Sequence, residues 1–296
     1  MLKRTIYLTR PGYLSLKNNQ LVFRQKDTED KKIVPVEDLG FLVVENQQVV
    51  ISVPLIEKLA EHNVATVFCN SKHLPQSLLL TLEGNHQQTG IQRQQIAASE
   101  PLKKNLWKQT VTAKIRNQAG ALEKLGIKSS PLNRLAKEVK SGDSDNREGM
   151  AARIYWKKLL GDEFSRERYG SWPNAALNYG YMVVRAAAAR ALTGSGLLPA
   201  FGIFHRNRYN AFCLADDIIE PYRPFVDLTA REISIDRPDS DDLDTEIKSR
   251  ILEVLSCDTG MKKNKRPLMV ALTHTTASLA ACYTGQRKQI DYATLL

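Results

Sequence analysis

The sequence predicts an α+β chain, with a β-rich N-terminal domain over residues 1–86 and a larger all-α domain over residues 87–296. Three observations carry this. Up to Gln87, short β-branched and aromatic runs alternate with turn residues. Beyond it, long stretches of helical spacing take over and strands nearly vanish. The composition, 43% hydrophobic and 25% charged, is that of a chain able to bury a core, and 296 residues suit one large domain or two smaller ones.

Arg4 to Thr9 is β-branched and aromatic. Tyr13–Leu16 and Leu21–Phe23 flank Lys17-Asn18-Asn19-Gln20, in which the two asparagines suit a tight hairpin turn. Ile33–Val36, Phe41–Val44 and Val49–Val53 are further short strands. Pro54–Asn63 predicts a helix with proline in its first turn, followed by a strand at Val64–Cys69. The domain boundary falls in the polar stretch 83–88. Helices are expected over Ile91–Ala98, Leu102–Leu125, Pro131–Val139, Asn146–Leu160, Asn174–Leu192, Phe212–Arg231, Asp244–Ser256 and Leu268–Thr284. The alanine run 186–189 strengthens the fifth of these. Arg237–Asp244 is Asp-rich but lacks the glycine and ligand spacing of a calcium loop, so it reads as a solvated acidic loop. Lys262–Arg266 (KKNKR) reads as a basic loop.

A formal net charge of +10 points to a polyanionic partner, and nucleic acid is the commonest. The competing reading is a basic protein kept soluble by its charge. Cys69, Cys213, Cys257 and Cys282 form no Cys-x-x-Cys pair, which argues against a zinc ribbon or thioredoxin-type site and fits reduced thiols. The opening residues carry no apolar run of a signal peptide, and no stretch reaches the roughly 18 apolar residues of a membrane span. A protein without membrane contact, in a reducing cytoplasm, is the expectation.

Three segments carry candidate chemistry. In Leu214–Pro224 (LADDIIEPYRP), helical spacing puts Asp217 and Glu220 on one face, and two adjacent carboxylates repel unless a cation or proton joins them. An exposed acidic first turn is the ordinary alternative. In Phe201–Tyr209 (FGIFHRNRY), His205 offers an imidazole beside Arg206 and Arg208. A plain structural histidine is the alternative. Glu148 opens a helix, where Asp145-x-x-Glu148 also has the form of a capping box, so capping and ligand roles compete for the same oxygens. Together the three segments supply an oxygen-rich set with one imidazole, better suited to Mg²⁺ or Mn²⁺ than to structural zinc.

The segments GLLPAFGIFH (196–205) and LADDIIEPYRP (214–224), the run Arg147-Glu148-Gly149-x-Ala151-Ala152-Arg153-x-Tyr155-Trp156, and Asn178-Tyr179-Gly180-Tyr181 between them resemble CRISPR-associated protein one, the spacer integrase. The resemblance spans nearly the whole chain. Its compact length, opening hairpin and His205–Arg208 run are most similar to the type II subgroup. It implies a metal-dependent endonuclease and integrase that inserts short DNA fragments into the CRISPR array, the fragment's 3′-hydroxyl attacking a repeat phosphodiester. Glu148, His205 and Glu220 would ligate Mg²⁺ or Mn²⁺, with Asp217 an auxiliary catalytic carboxylate. The choice of direct ligand between Asp217 and Glu220 stays open, with Glu220 preferred here. The resemblance also implies a homodimer formed through the β-rich domain, double-stranded DNA as substrate, and CRISPR-associated protein two as partner.

Candidate DNA contacts are Arg206, Arg208, Arg153, Lys104 and Lys108, with Lys103, Lys114, Arg116, Lys157 and Lys158 on the same helical stretches. Solvated helix faces are their ordinary reading. Tyr179 and Tyr181 are candidates for stacking on bases, against a role in core packing. Two rival functions remain open: a metal-dependent nuclease acting on branched or repair-intermediate DNA outside CRISPR, and a non-catalytic nucleic-acid-binding scaffold.

Overall fold

The computed structural model describes residues 3–167, 169–238, 240, 242–262 and 264–296. The chain divides into two units, Met1–Gly84 and Asn85–Leu296.

Among its described residues the first unit holds eight strands, one α-helix and a 3₁₀ turn (Val36–Asp38): β1 (Arg4–Leu8), β2 (Gly12–Lys17), β3 (Gln20–Gln25), β4 (Lys31–Pro35), β5 (Leu39–Val44), β6 (Val49–Ile51), α1 (Val53–Glu61), β7 (Ala65–Cys69) and β8 (Pro75–Leu79). One sheet has the order β1-β5-β7-β8, with the first three strands parallel and β8 antiparallel at the edge. The other has the order β4-β3-β2-β6. Every residue of β5 is buried, as befits a central parallel strand with both faces covered. Leu14 and Leu21 of one sheet, Leu42 and Val44 of the other, and Leu55 and Leu59 of α1 share a single apolar core.

The β2–β3 turn confirms the asparagine reading. Asn18 and Asn19 have φ of 50° and 58°, the left-handed pair that a two-residue hairpin requires. The edge strand β8 carries no such signal in sequence. It begins at a proline and is largely exposed, two properties an edge tolerates.

The second unit is built on helices α2 (Gln88–Ile96), α3 (Glu100–Lys124), α4 (Ser130–Glu138), α5 (Arg147–Leu160), α6 (Asn174–Gly194), α7 (Cys213–Ile219), α8 (Arg223–Asp236), α9 (Thr245–Leu252) and α10 (Leu268–Tyr283). α6 is buried around most of its circumference and packs against α7, α8, α9 and α10. Gly180 lets α8 come close: a Cβ there would lie 2.3 Å from Val226 Cγ1. The helix α3 meets α4, α5 and α8, so it forms a second spine. Buried Asn117 on α3 donates to the carbonyls of Pro221 (2.7 Å) and Ala293 (2.9 Å), fixing two irregular segments to that spine.

Three expectations need correction. The single helix expected over Phe212–Arg231 is broken into α7, a 3₁₀ turn (Glu220–Tyr222) and α8. Pro221 and Pro224 cannot donate to the carbonyls of Asp217 and Glu220, so the α-helical ladder stops and restarts. The helix expected over Asp244–Ser256 ends at Leu252 and tightens into a 3₁₀ turn over Glu253–Ser256. The basic stretch 262–266 is no plain loop: β9 (Asp258–Met261) and β10 (Asn264–Pro267) pair antiparallel around it, with Lys262 in the left-handed region at φ 55°. Lys263 lies outside the described residues, as do Asp239 and Asp241 of the acidic stretch. In that stretch, Asp244 caps α9, accepting from the Ile247 N–H at 2.8 Å.

Candidate active site

Glu148 sits in the first turn of α5, and the local sequence settles what its carboxylate does. Asn146 takes a left-handed conformation (φ 51°) and is the N-cap, its Oδ1 accepting from Gly149 N at 3.1 Å. Asp143 accepts the next two amides, from Arg147 at 2.8 Å and from Glu148 at 3.1 Å. The capping box expected from Asp145 and Glu148 therefore does not form; Asp145 pairs with Lys140 at 2.7 Å. With the helix end satisfied by Asp143 and Asn146, the Glu148 side chain is free to reach across to α3, where Oε1 meets Lys114 Nζ at 2.5 Å.

The same ammonium lies 2.6 Å from Glu220 Oε2. Lys114 thus bridges carboxylates from two separate elements. The other oxygen of Glu220, Oε1, pairs with Arg223 at 2.9 Å. Oε2 is buried, and the Lys114 ammonium is the cation set against it. Burial opposes ionisation of Lys114, and the carboxylates of Glu220 and Glu148 overcome it, raising its pKa above the ordinary lysine value. Burial likewise opposes Glu220, but Arg223 and Lys114 hold its carboxyl below the usual range.

His205 is placed by Asp217. This fully buried carboxylate accepts from the backbone N–H groups of Ile203 (2.5 Å) and Phe204 (2.9 Å) through Oδ2, and from His205 N (3.3 Å) through Oδ1. Oδ1 also meets His205 Nδ1 at 2.5 Å. The loop wraps the carboxylate so tightly that a Cβ at Gly202 would fall 2.8 Å from Asp217 Oδ2 and 2.4 Å from the His205 carbonyl. Buried Gln95 braces the loop's entry, donating to the carbonyls of Leu198 and Phe201 and accepting from Leu198 N. Trp107 of α3 stacks on Phe204 with centroids 4.4 Å apart, and both rings meet the imidazole edge-on. The hydrogen bond from Asp217 raises the pKa of His205 against the opposing effect of burial. In the neutral ring, a proton on Nδ1 facing Asp217 leaves the lone pair on Nε2. Asp217 has its oxygens committed to the loop and the imidazole, so it orients His205.

His205 and Glu220 are near enough that each charge favours the other's ionised form. Even so, among the described residues no group of three His, Cys, Asp or Glu side chains is gathered into a ready-made coordination sphere. The structure brings Glu148 and Glu220 together on Lys114, with His205 beside Glu220. The donor set fits a divalent cation: two carboxylates, one of them buried, and an imidazole with a lone pair to give.

The basic candidates divide. Arg153, Lys104 and Lys108 are exposed on α5 and α3, and Arg206 is exposed while pairing with Glu100 at 2.7 Å. Arg208 lies 4.7 Å from the ring centroid of the exposed Tyr209. Lys114 is largely buried and turned toward Glu148 and Glu220. Tyr179 (1% exposed) and Tyr181 (8%) are core residues of α6, which favours the packing role weighed for them over stacking on bases.

Sequence reading missed the bridging role of Lys114, and missed Asp143, Trp107 and Asp227 altogether. Lys114 did leave a signal: it interrupts the stripe Trp107–Val111–Gln118, which is buried on either side of it. Asp227 on α8 is also buried, accepting hydrogen bonds from Tyr155 and Tyr181, whose ring lies against Arg223 and Arg166. Burial pushes the Asp227 carboxyl up to about 7. The unfolded chain holds that proton only below about pH 4. This group's contribution to stability is therefore fully present below about pH 4 and is lost as pH rises to about 7, on the order of 4 kcal/mol in all. Denaturant melts of wild type and Asp227→Asn from pH 5 to 8 should show wild type losing ground to the variant as pH rises. A difference that stays flat would mean that Asp227 titrates as an ordinary surface acid.

The fold defines a class, a β-rich unit followed by a helical unit, and it is similar to that of a casposase bound to its integration product (TM-score 0.80, 17% identity, 97% of this chain and 92% of that one) and of a CAS1 protein from Thermotoga maritima (TM-score 0.73, 18% identity, 97% and 99%). A family model described as CRISPR associated protein Cas1 matches residues 6–252, and the chain belongs to that family. It is 37% identical to the CRISPR-associated endonuclease Cas1 of Neisseria meningitidis, over 99% of this chain and 96% of the relative. It is 27% identical to a CRISPR-associated endonuclease Cas1 of Francisella tularensis, over 84% and 85%. Among the described residues, no helix is long and apolar enough to cross a membrane.

Proposed function

We propose that this Cas1 family member is a divalent-metal-dependent DNA integrase of CRISPR adaptation. It joins the 3′-hydroxyl of a short DNA fragment to a phosphodiester at the boundary of a CRISPR repeat. The observation that carries the reading is the convergence of Glu148 and Glu220 on one cationic position, beside an imidazole that Asp217 orients. The likeness to a casposase bound to its integration product supports the fold needed for such chemistry.

In this reading Glu148, Glu220 and Nε2 of His205 hold Mg²⁺ or Mn²⁺. The ion, when bound, supplies Lewis-acid stabilisation of the charge that develops on the phosphoryl oxygens. Asp217 keeps the His205 lone pair outward. Arg206, Arg208, Arg153, Lys104 and Lys108 lie on exposed surface and position the DNA backbone through phosphate contacts. In the transfer the attacking hydroxyl loses its proton, a new P–O bond forms, and the 3′-oxygen that the attacked phosphodiester previously held leaves and is protonated. Residues 87–296 carry this chemistry, while residues 1–86 supply a homodimer contact. CRISPR-associated protein two is the expected assembly partner; a protein of similar fold occurs in a Cas6-RT-Cas1–Cas2 complex.

The test uses a labelled duplex fragment and a repeat-containing duplex, with the protein alone and with Cas2, in Mn²⁺ or Mg²⁺. A joined product is expected, absent with EDTA and absent with a 3′-deoxy fragment. Cleavage of branched DNA without any joining would instead favour the nuclease reading, with water as nucleophile at the same site.

A further inference from the structure

Resting on the metal-site reading above, the geometry points to Lys114 as a built-in counter-ion that competes with the divalent cation for Glu148 and Glu220. Its ammonium contacts one oxygen of each, at 2.5 Å and 2.6 Å, from a largely buried position on α3. Two carboxylates brought together away from water repel each other unless a cation stands between them, so a metal-free site without Lys114 would spread or take up a proton. Lysine suits this duty because its charge is a point at the end of a flexible four-carbon stem and can withdraw without moving α3.

Charge bookkeeping shows why the competition is direct. Lys114 and Arg223 together balance the two glutamates. A divalent ion entering with both cations still in place would leave excess positive charge in a largely buried site. Lys114 must release its partners when the ion binds, and a DNA phosphate is the anion that would then receive it. Lys114 therefore raises the metal concentration at which the site fills, and it couples metal entry to arrival of the polyanion.

The experiment is manganese binding by isothermal titration calorimetry on the DNA-free full chain, as wild type, Lys114→Met, Lys114→Gln and Lys114→Arg. Circular dichroism checks the fold, and thermal melts are run in EDTA and in Mn²⁺. The neutral variants should bind Mn²⁺ roughly tenfold tighter than wild type, the size of an ordinary coupling between two ligands of one site. They should melt lower than wild type in EDTA and recover more on adding Mn²⁺. Lys114→Arg, which keeps the charge, should bind no tighter than wild type. Wild-type binding with neutral variants that fold but bind equally or more weakly would overturn the counter-ion role while leaving the metal site intact. No manganese binding by wild type or the folded neutral variants would overturn both.

Discussion

Replacing Glu148, His205 or Glu220 by alanine should each reduce fragment joining by roughly three orders of magnitude, since several kcal/mol of transition-state stabilisation depends on a held cation. Duplex binding, followed by gel shift, should change little, because it draws on the separate exposed arginines and lysines. The three are not equal in their effect on folding. Glu148 is partly exposed and its loss leaves Lys114 one partner. Glu220 is 5% exposed, and its loss takes the carboxylate partner of Arg223 and one of the two that hold Lys114, at a cost of about 3–5 kcal/mol. Glu220→Gln, which keeps the volume and one acceptor, is the better probe there. If all three alanine variants still join DNA, the site lies elsewhere.

Asp217→Asn should lower metal affinity and joining by roughly 10- to 100-fold, the range of losses for groups that orient a ligand, while the chain still folds. The amide oxygen can keep accepting from Ile203 and Phe204, so the loop survives. The amide nitrogen, however, now faces His205 Nδ1 and can only donate. That forces the ring proton onto Nε2, the nitrogen needed for the metal. Asp217→Ala should be worse for a different reason: it leaves buried amides unpaired, at about 1–3 kcal/mol each. The two variants separate orientation from stability. An asparagine variant with unchanged manganese affinity would show that the tautomer of His205 is immaterial.

Much of the architecture was legible because local chemistry and tertiary packing agree. Asn18-Asn19 demands left-handed backbone and receives it. The alanine-rich stretch of α6 favours helix and also suits close packing. The failures are places where one consideration overrides another. The apolar periodicity of 212–231 suggests one helix, but two prolines within four residues outweigh it. The hairpin β9–β10 is short and polar, so neither alternation nor hydrophobicity marks it. The expected start of α5 lies one residue early because Asn146 in a left-handed turn shifts the cap.

The candidate site was legible through its motifs and much less through pairing. Glu148, His205, Asp217 and Glu220 all stand out as residue types, yet spacing alone puts Asp217 and Glu220 together as one acidic face. Glu148 and Glu220 meet through Lys114 on α3, a helix distant from both in sequence. Tyr179 is attractive in sequence because its neighbours carry the family pattern, and burial makes it a packing residue instead.

The proline interruption between α7 and α8 has a further consequence. On an unbroken rod, residues three apart would point the same way and their negative fields would add. Here the two acids have different neighbours: the one before the joint faces an imidazole, and the one within it faces an ammonium and a guanidinium. One short segment can therefore serve proton placement and cation holding at once, with neither acid forced to neutralise the other.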